Sequence, residues 1–192
     1  ETVGIQIGRH SRPAIRENIN ASIDLAERRG LFSITVIHLK DIHPESYHLW
    51  REVALEEGKR RAIRIEFMHA GDFVATAIAA PAQLSHRVFA ADNLLGDLCG
   101  DAAAGLVGGM GIPPTNCYNT TGSTGKFFLE PLHGSGVNAK GERLKNPNPT
   151  ATFLTVGELL ERFGHPEMYV AVRTALRQVI ESGIKTPDLG GA

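Results

Sequence analysis

Apolar residues after Ser11 recur at helical spacing: Ile15, Ile19, Ile23 and Ala26 share one face, and Gly30 closes the run. Ser11-Arg-Pro13 is a fair helix start, because serine caps free amides and proline suits the first turn. Leu31 to His38 then reads as a strand with Phe32, Ile34 and Val36 on one side. Pro44 to Gly58 reads as a helix whose stripe is Leu49, Trp50, Val53 and Ala54. Ile63 to Phe67 is a second short strand, and Asp72 to Ala80 a small-residue helix ended by Pro81. Arg87 to Ala91 is a third strand leading into a helix over Leu94 to Val107. Strands alternating with helices predict an α/β chain.

Between Gly108 and Pro149 the pattern breaks. Glycine, proline, asparagine and threonine dominate, and only Lys126 to Leu132 looks extended. Irregular stretches of this length are usually functional or linkers. Two helices close the chain: Thr150 to Phe163, with Leu154, Leu159 and Leu160 inward, and Pro166 to Ser182, with Val172, Leu176, Val179 and Ile180 inward.

Composition narrows the function classes. The chain has 192 residues, 42% hydrophobic and 21% charged, with a formal net charge of −1. No basic run exceeds Gly58-Lys-Arg-Arg61, so nucleic acid is not an expected partner. No apolar run approaches the roughly 18 residues of a membrane span, and no secretory leader is legible. Cys99 and Cys117 are too few for a disulfide framework and are not spaced as a zinc pair. The expectation is a soluble cytoplasmic protein.

Asp97 and Asp101 lie in Asn93-Leu-Leu-Gly-Asp-Leu-Cys-Gly-Asp101. Positions i and i+4 share a helix face, so both carboxylates point the same way. Such oxygen ligands suit a hard cation, Mg2+ or Mn2+, that keeps open positions for substrate oxygens. The plainer reading is a solvated helix face. His38, His43 and His48, with Asp41 and Glu45 between them, read as a polar loop and not as a metal cluster.

Downstream come Gly108-Gly-Met-Gly-Ile-Pro-Pro-Thr-Asn116, Glu130-Pro-Leu-His-Gly-Ser-Gly136, Lys145-Asn-Pro-Asn-Pro-Thr-Ala151 and Thr186-Pro-Asp-Leu-Gly-Gly191. With the two aspartates, and in this order, they make the chain resemble the isocitrate/isopropylmalate dehydrogenase family, closely from Asn93 onward and more loosely from Ser11 to Asp92. The resemblance implies a partial α/β fold of that type: open sheets flanked by helices, not a Rossmann fold. Residues 1–108 would form a metal and dimerisation region, and residues 109–192 a nucleotide-loop region completing a second domain. The implied activity is oxidation of a 2-hydroxy acid by NAD or NADP, with decarboxylation.

The resemblance also implies roles. Asp97 and Asp101 match the family's metal aspartates, and Asp72 falls where a third acidic ligand is lent across a dimer; its other reading is a helix N-cap. The family's catalytic lysine sits in a His/Asp-Lys-x-Asn pattern. Here the segment is His38-Leu39-Lys40-Asp41, with Leu39 in the strict position and Lys40 one residue on. A one-residue slip turns a strand side chain to the other face, so Lys40 is either the catalytic group or a solvated lysine. His133, Gly134, Ser135 and Asn146 match the loops that hold the cofactor's adenosine. Asn138 stands where NAD-dependent members carry an aspartate, with Lys140 two residues on, which leaves NAD or NADP open. Complete members are nearly twice as long and hold substrate carboxylates with arginines from their first half, whereas Arg9, Arg12 and Arg16 fall on the opening segment and first helix. The expected partners are a small 2-hydroxy acid and either a second copy of the chain or a polypeptide supplying the N-terminal half. The alternative is a non-catalytic subunit or interaction module derived from this fold.

Overall fold

A computed structural model describes residues 2–4, 7–118, 127–134, 136–137 and 140–191. The chain forms two compact units, Glu1–Ala102 and Ala103–Ala192.

The first unit begins with α1 (Arg12–Arg28), where Ser11 Oγ accepts from the amide of Ala14 at 3.4 Å. Ile15, Ile19, Ile23 and Ala26 are its buried face, as their spacing predicts. Gly30 ends the turn at φ +68°, a left-handed backbone that favours glycine. β1 (Ser33–His38), β2 (Arg64–His69) and β3 (Phe89–Ala90) form a parallel sheet in the order β2-β1-β3. Ser33 to His38 pair in step with Arg64 to His69. As the middle strand, β1 is buried on both faces: Ile34, Thr35, Val36 and Ile37 are all inside. Simple alternation therefore misplaces Phe32, which lies before the strand and is 83% exposed.

Helix α2 (Pro44–Arg61) buries Tyr47, Trp50, Val53 and Ala54, while Leu49 is only half-buried. Its Glu57 is also buried and sits between Arg16 Nε at 2.8 Å and Arg60 Nε at 2.7 Å. Burial pushes this carboxyl up, but hydrogen bonds from Arg60, Arg16 and Asn20 hold it below its ordinary value. Arg12 pairs with Glu52 and Glu56, and Arg61 with Asp24 and Glu27, so ion pairs stitch α1 to α2. α3 (Ala70–Ala79) follows β2 directly and ends at a short 3-10 turn, Pro81–Leu84. α4 (Asn93–Leu106) leaves β3 through Asp92, whose carboxylate accepts from the amide of Leu95 at 3.0 Å.

The second unit is built on an antiparallel ribbon, β4 (Pro114–Tyr118) with β5 (Phe127–Pro131). β4 falls inside the stretch read as irregular. Its residues, Pro-Thr-Asn-Cys-Tyr, show no apolar alternation, and the partner strand creates it. α5 (Thr150–Arg162) packs on this ribbon and on α6 (Pro166–Glu181). Gly157 permits a close helix approach, because a Cβ there would lie 3.2 Å from the Tyr169 ring. α6 has no fully buried residue: Val172, Leu176 and Ile180 are half-buried, and Val179 is exposed. Among the described residues no helix is long and apolar enough to cross a membrane.

Candidate functional site

Ligands of open parallel sheets bind beyond the carboxyl ends of the strands, and the polar groups of the first unit gather there. His38 ends β1 and His69 ends β2, opposite each other in register, with ring centres 5.7 Å apart. The His69 side chain caps α3 by accepting from the amide of Gly71 at 3.0 Å, and its other nitrogen lies 3.5 Å from Asp41. Asp72 is thus not the helix cap; it sits exposed in the first turn of α3. Burial first, then His69 and Lys40, lowers the His38 pKa and favours its neutral form.

Residues 38 to 40, at and just beyond the end of β1, divide between two cavities. His38 and Lys40 line one of about 240 Å³ with Tyr47 and Arg51. Leu39 lines the other, about 650 Å³, with Arg9, His10, His43 and Asp92. The apolar Leu39 therefore faces the larger cleft, and Lys40 faces the smaller. Tyr47 donates its hydroxyl to Asp92 at 2.5 Å, while burial, followed by that bond, holds the phenol well above its ordinary value. Trp50 Nε1 donates to His10 Nδ1 at 2.9 Å. His10, Tyr47, Arg51 and Asp92 were not singled out from the sequence. Only Asp92 carries a local signal, an acid immediately before a helix.

On α4 the inward face is Leu95, Cys99 and Ala104, all buried. Asp97 and Asp101 lie on the outward side, exposed and one turn apart, beside the exposed Leu94 and Leu98. The structure thus keeps the two aspartates on one face but does not bring Asp72 into a three-donor group. Among the described residues, no three His, Cys, Asp or Glu side chains gather as a metal site. Arg12 and Arg16 are committed to acids of α2.

In the second unit, His133 Nδ1 lies 3.0 Å from the Gly134 carbonyl, while its Nε2 is buried without a hydrogen-bond partner among the described residues. Gly134 has open space where a Cβ would point. Asn146 has φ +53°, and Asn148 anchors the end of the irregular stretch by bonding the Thr150 amide and Asp188. Ser135 and Asn138 lie outside the described residues.

Comparison with known proteins bears on the family and the fold. A family model described as isocitrate/isopropylmalate dehydrogenase matches residues 1–192. A 3-isopropylmalate dehydrogenase of Archaeoglobus fulgidus is 32% identical over 183 residues, covering 94% of this chain and 53% of the relative. A probable tartrate dehydrogenase/decarboxylase of Agrobacterium vitis is 29% identical over 192 residues, 100% of this chain and 52% of the relative. The crystal structure of isocitrate dehydrogenase from Methylococcus capsulatus superposes with TM-score 0.79 at 29% identity, over 95% of this chain and 52% of that one. The chain spans about half the length of the curated relatives it matches. On the match along its whole length and on the shared fold, the chain belongs to the isocitrate/isopropylmalate dehydrogenase family.

Proposed function

We propose that this chain supplies the metal and nucleotide part of an NAD(P)-dependent dehydrogenase that oxidises a 2-hydroxy acid and releases CO2. The observation that carries the reading is the pair of exposed carboxylates on one face of α4. Their all-oxygen chemistry fits Mg2+ or Mn2+, and a ligand pair with no third donor gathered beside it among the described residues fits a site shared between copies, with Asp72 lent by the neighbour. A bound cation of this kind supplies Lewis-acid polarisation of the substrate's hydroxyl oxygen and charge stabilisation after CO2 departs. Asp97 and Asp101 would hold it. Lys40, at the carboxyl edge, takes the hydroxyl proton or returns one to the product. Residues 1–108 are the metal and dimerisation region and residues 109–192 the nucleotide-loop region. Exposed Leu94 and Leu98 beside the carboxylates, and Val74 and Ile78 on α3, support burial against a second copy or a polypeptide that supplies substrate-binding arginines.

Calorimetric titration with Mn2+ tests the reading. Binding is expected in a sample that light scattering shows to be associated. Asp101→Asn should weaken it roughly tenfold or more, and Asp72→Asn should also weaken it. Equal affinity in wild type and Asp101→Asn, or a well-folded monomer that binds as tightly, removes the shared metal site.

The nucleotide assignment rests on the orphaned His133 Nε2, the open space at Gly134 and the left-handed Asn146. Buried polar atoms without partners are rare, and a ligand satisfies them. Asn138 and Lys140 would decide between NAD and NADP. Either nucleotide at about ten times its dissociation constant should raise stability by about 1.4 kcal/mol, a few degrees in melting midpoint. No shift with either at millimolar concentration favours a second reading, a subunit that kept the fold without the chemistry. That reading draws on Leu39, an apolar side chain where the family's lysine is expected.

A further inference from the structure

The smaller cavity at the carboxyl edge has an uneven lining. Its floor is apolar: Val36 and Trp50 are buried, and Phe67 packs against the core. Its rim carries Lys40 and Arg51, with His38 and the Tyr47 ring, and none of the lining residues is acidic. Arg51 lies over the Phe67 ring, its guanidinium carbon 4.4 Å from the ring centre. The ring shields one face of the cation and sets its plane. Neither Lys40 nor Arg51 has an ion pair through its side chain among the described residues, in a unit where Arg12, Arg16, Arg60 and Arg61 all have one. Asp41, the acid in the same loop, lies beside His69.

Two cations without counter-charges over an apolar floor call for an anion with an apolar body. We propose that this cavity binds a small organic acid whose carboxylate meets Arg51 and Lys40 and whose aliphatic chain rests on Trp50, Phe67 and Val36. Arginine offers paired N–H donors that match a carboxylate's two oxygens. The volume of about 240 Å³ equals that of about eight water molecules, so the acid is limited to a carboxylate and about five further carbons. Inorganic phosphate would satisfy the charges and leave the floor wet, and an alcohol of the same shape would leave the cations unpaired. The cavity contains none of Asp72, Asp97 and Asp101 but shares Lys40 with the proposed dehydrogenase site, and Arg51, which that reading does not use, separates the two.

Trp50 is the chain's single tryptophan and lines both cavities, so its fluorescence reports binding at either and the Arg51→Gln variant, changed only in the smaller one, assigns the signal. The probe is 4-methylpentanoate, with 4-methylpentan-1-ol and inorganic phosphate as comparisons. Saturable binding of the acid is expected with a dissociation constant of about 1 mM, as suits so small a ligand. Arg51→Gln should weaken it about tenfold and Lys40→Gln less, as for loss of one charge-assisted contact. Both side chains are exposed, so the variants keep the fold, which circular dichroism verifies. The proposal is overturned by equal binding of the alcohol, by equal binding of phosphate, by unchanged affinity in Arg51→Gln, or by no saturable change up to about 20 mM acid.

Discussion

Ile19→Ala is expected to destabilise the first unit by about 2–5 kcal/mol, the range for removing a large aliphatic side chain from a packed core. Ile19 is fully buried on α1, in a cluster with Ile15, Ile23, Ile34, Val36 and Val53. Helix α1 is pinned at both flanks by ion pairs to α2, so it has little freedom to settle into the space left by three missing carbons. A site that cannot collapse sits at the costly end of the range. Urea unfolding monitored through Trp50 measures the change. The comparison variant is Ile7→Ala, whose side chain is 87% exposed and should change stability by no more than about 0.5 kcal/mol. Equal midpoints for the two variants would mean that α1 does not pack as described.

Gly58→Ala should also destabilise, by about 1–3 kcal/mol, although glycine to alanine inside a helix ordinarily gains about 1 kcal/mol. The sign is decided by space. A Cβ at residue 58 would lie 2.4 Å from Ile65 Cγ1 and 2.9 Å from the Ile63 carbonyl oxygen. The second neighbour is backbone and cannot rotate away. The chain turns sharply here: Ala62 has φ +55°, and the amide of Ile63 donates to the Gly58 carbonyl at 2.9 Å. The last turn of α2 and the start of β2 are therefore held in contact through residue 58. Gly100→Ala on α4 provides the opposite case, because nothing lies within 4 Å of its added Cβ. It should gain up to about 1 kcal/mol from helix propensity alone. Thermal melts in which both substitutions stabilise would refute the close approach.

Helices with one strong apolar face were legible because a single local period determines burial. Ile15, Ile19, Ile23 and Ala26 lie where their spacing puts them. Legibility failed where a distant partner decides. β1 is flanked on both sides, so Thr35 and Ile37 are as buried as Ile34 and Val36, while Phe32 lies outside the ladder. β4 is a strand only because β5 pairs with it. For α6, Val179 belongs to the apolar stripe by period but is exposed, since α5 covers only one side of that helix. The candidate site shows the same division. Asp97 and Asp101 could be read as a pair from spacing within one helix. His38 opposite His69, Tyr47 bonded to Asp92 and Arg51 over Phe67 join separate elements, and no local pattern announces them.

The two sheets differ in what they offer to an incoming strand. β2 ends its sheet on one side and carries Arg64, Glu66 and His69, with Arg87 closing on Glu66. A foreign strand laid along it would have to desolvate those charges, which is how natural edges resist aggregation. β5 presents Phe127 and Phe128, 38% and 59% exposed, in a two-stranded ribbon, a size that is marginal on its own in water. Charge thus guards one sheet, while the other is left adhesive. Templating of extra β-structure, whether productive growth of the sheet or misassembly at high concentration, is expected at the ribbon rather than along β2.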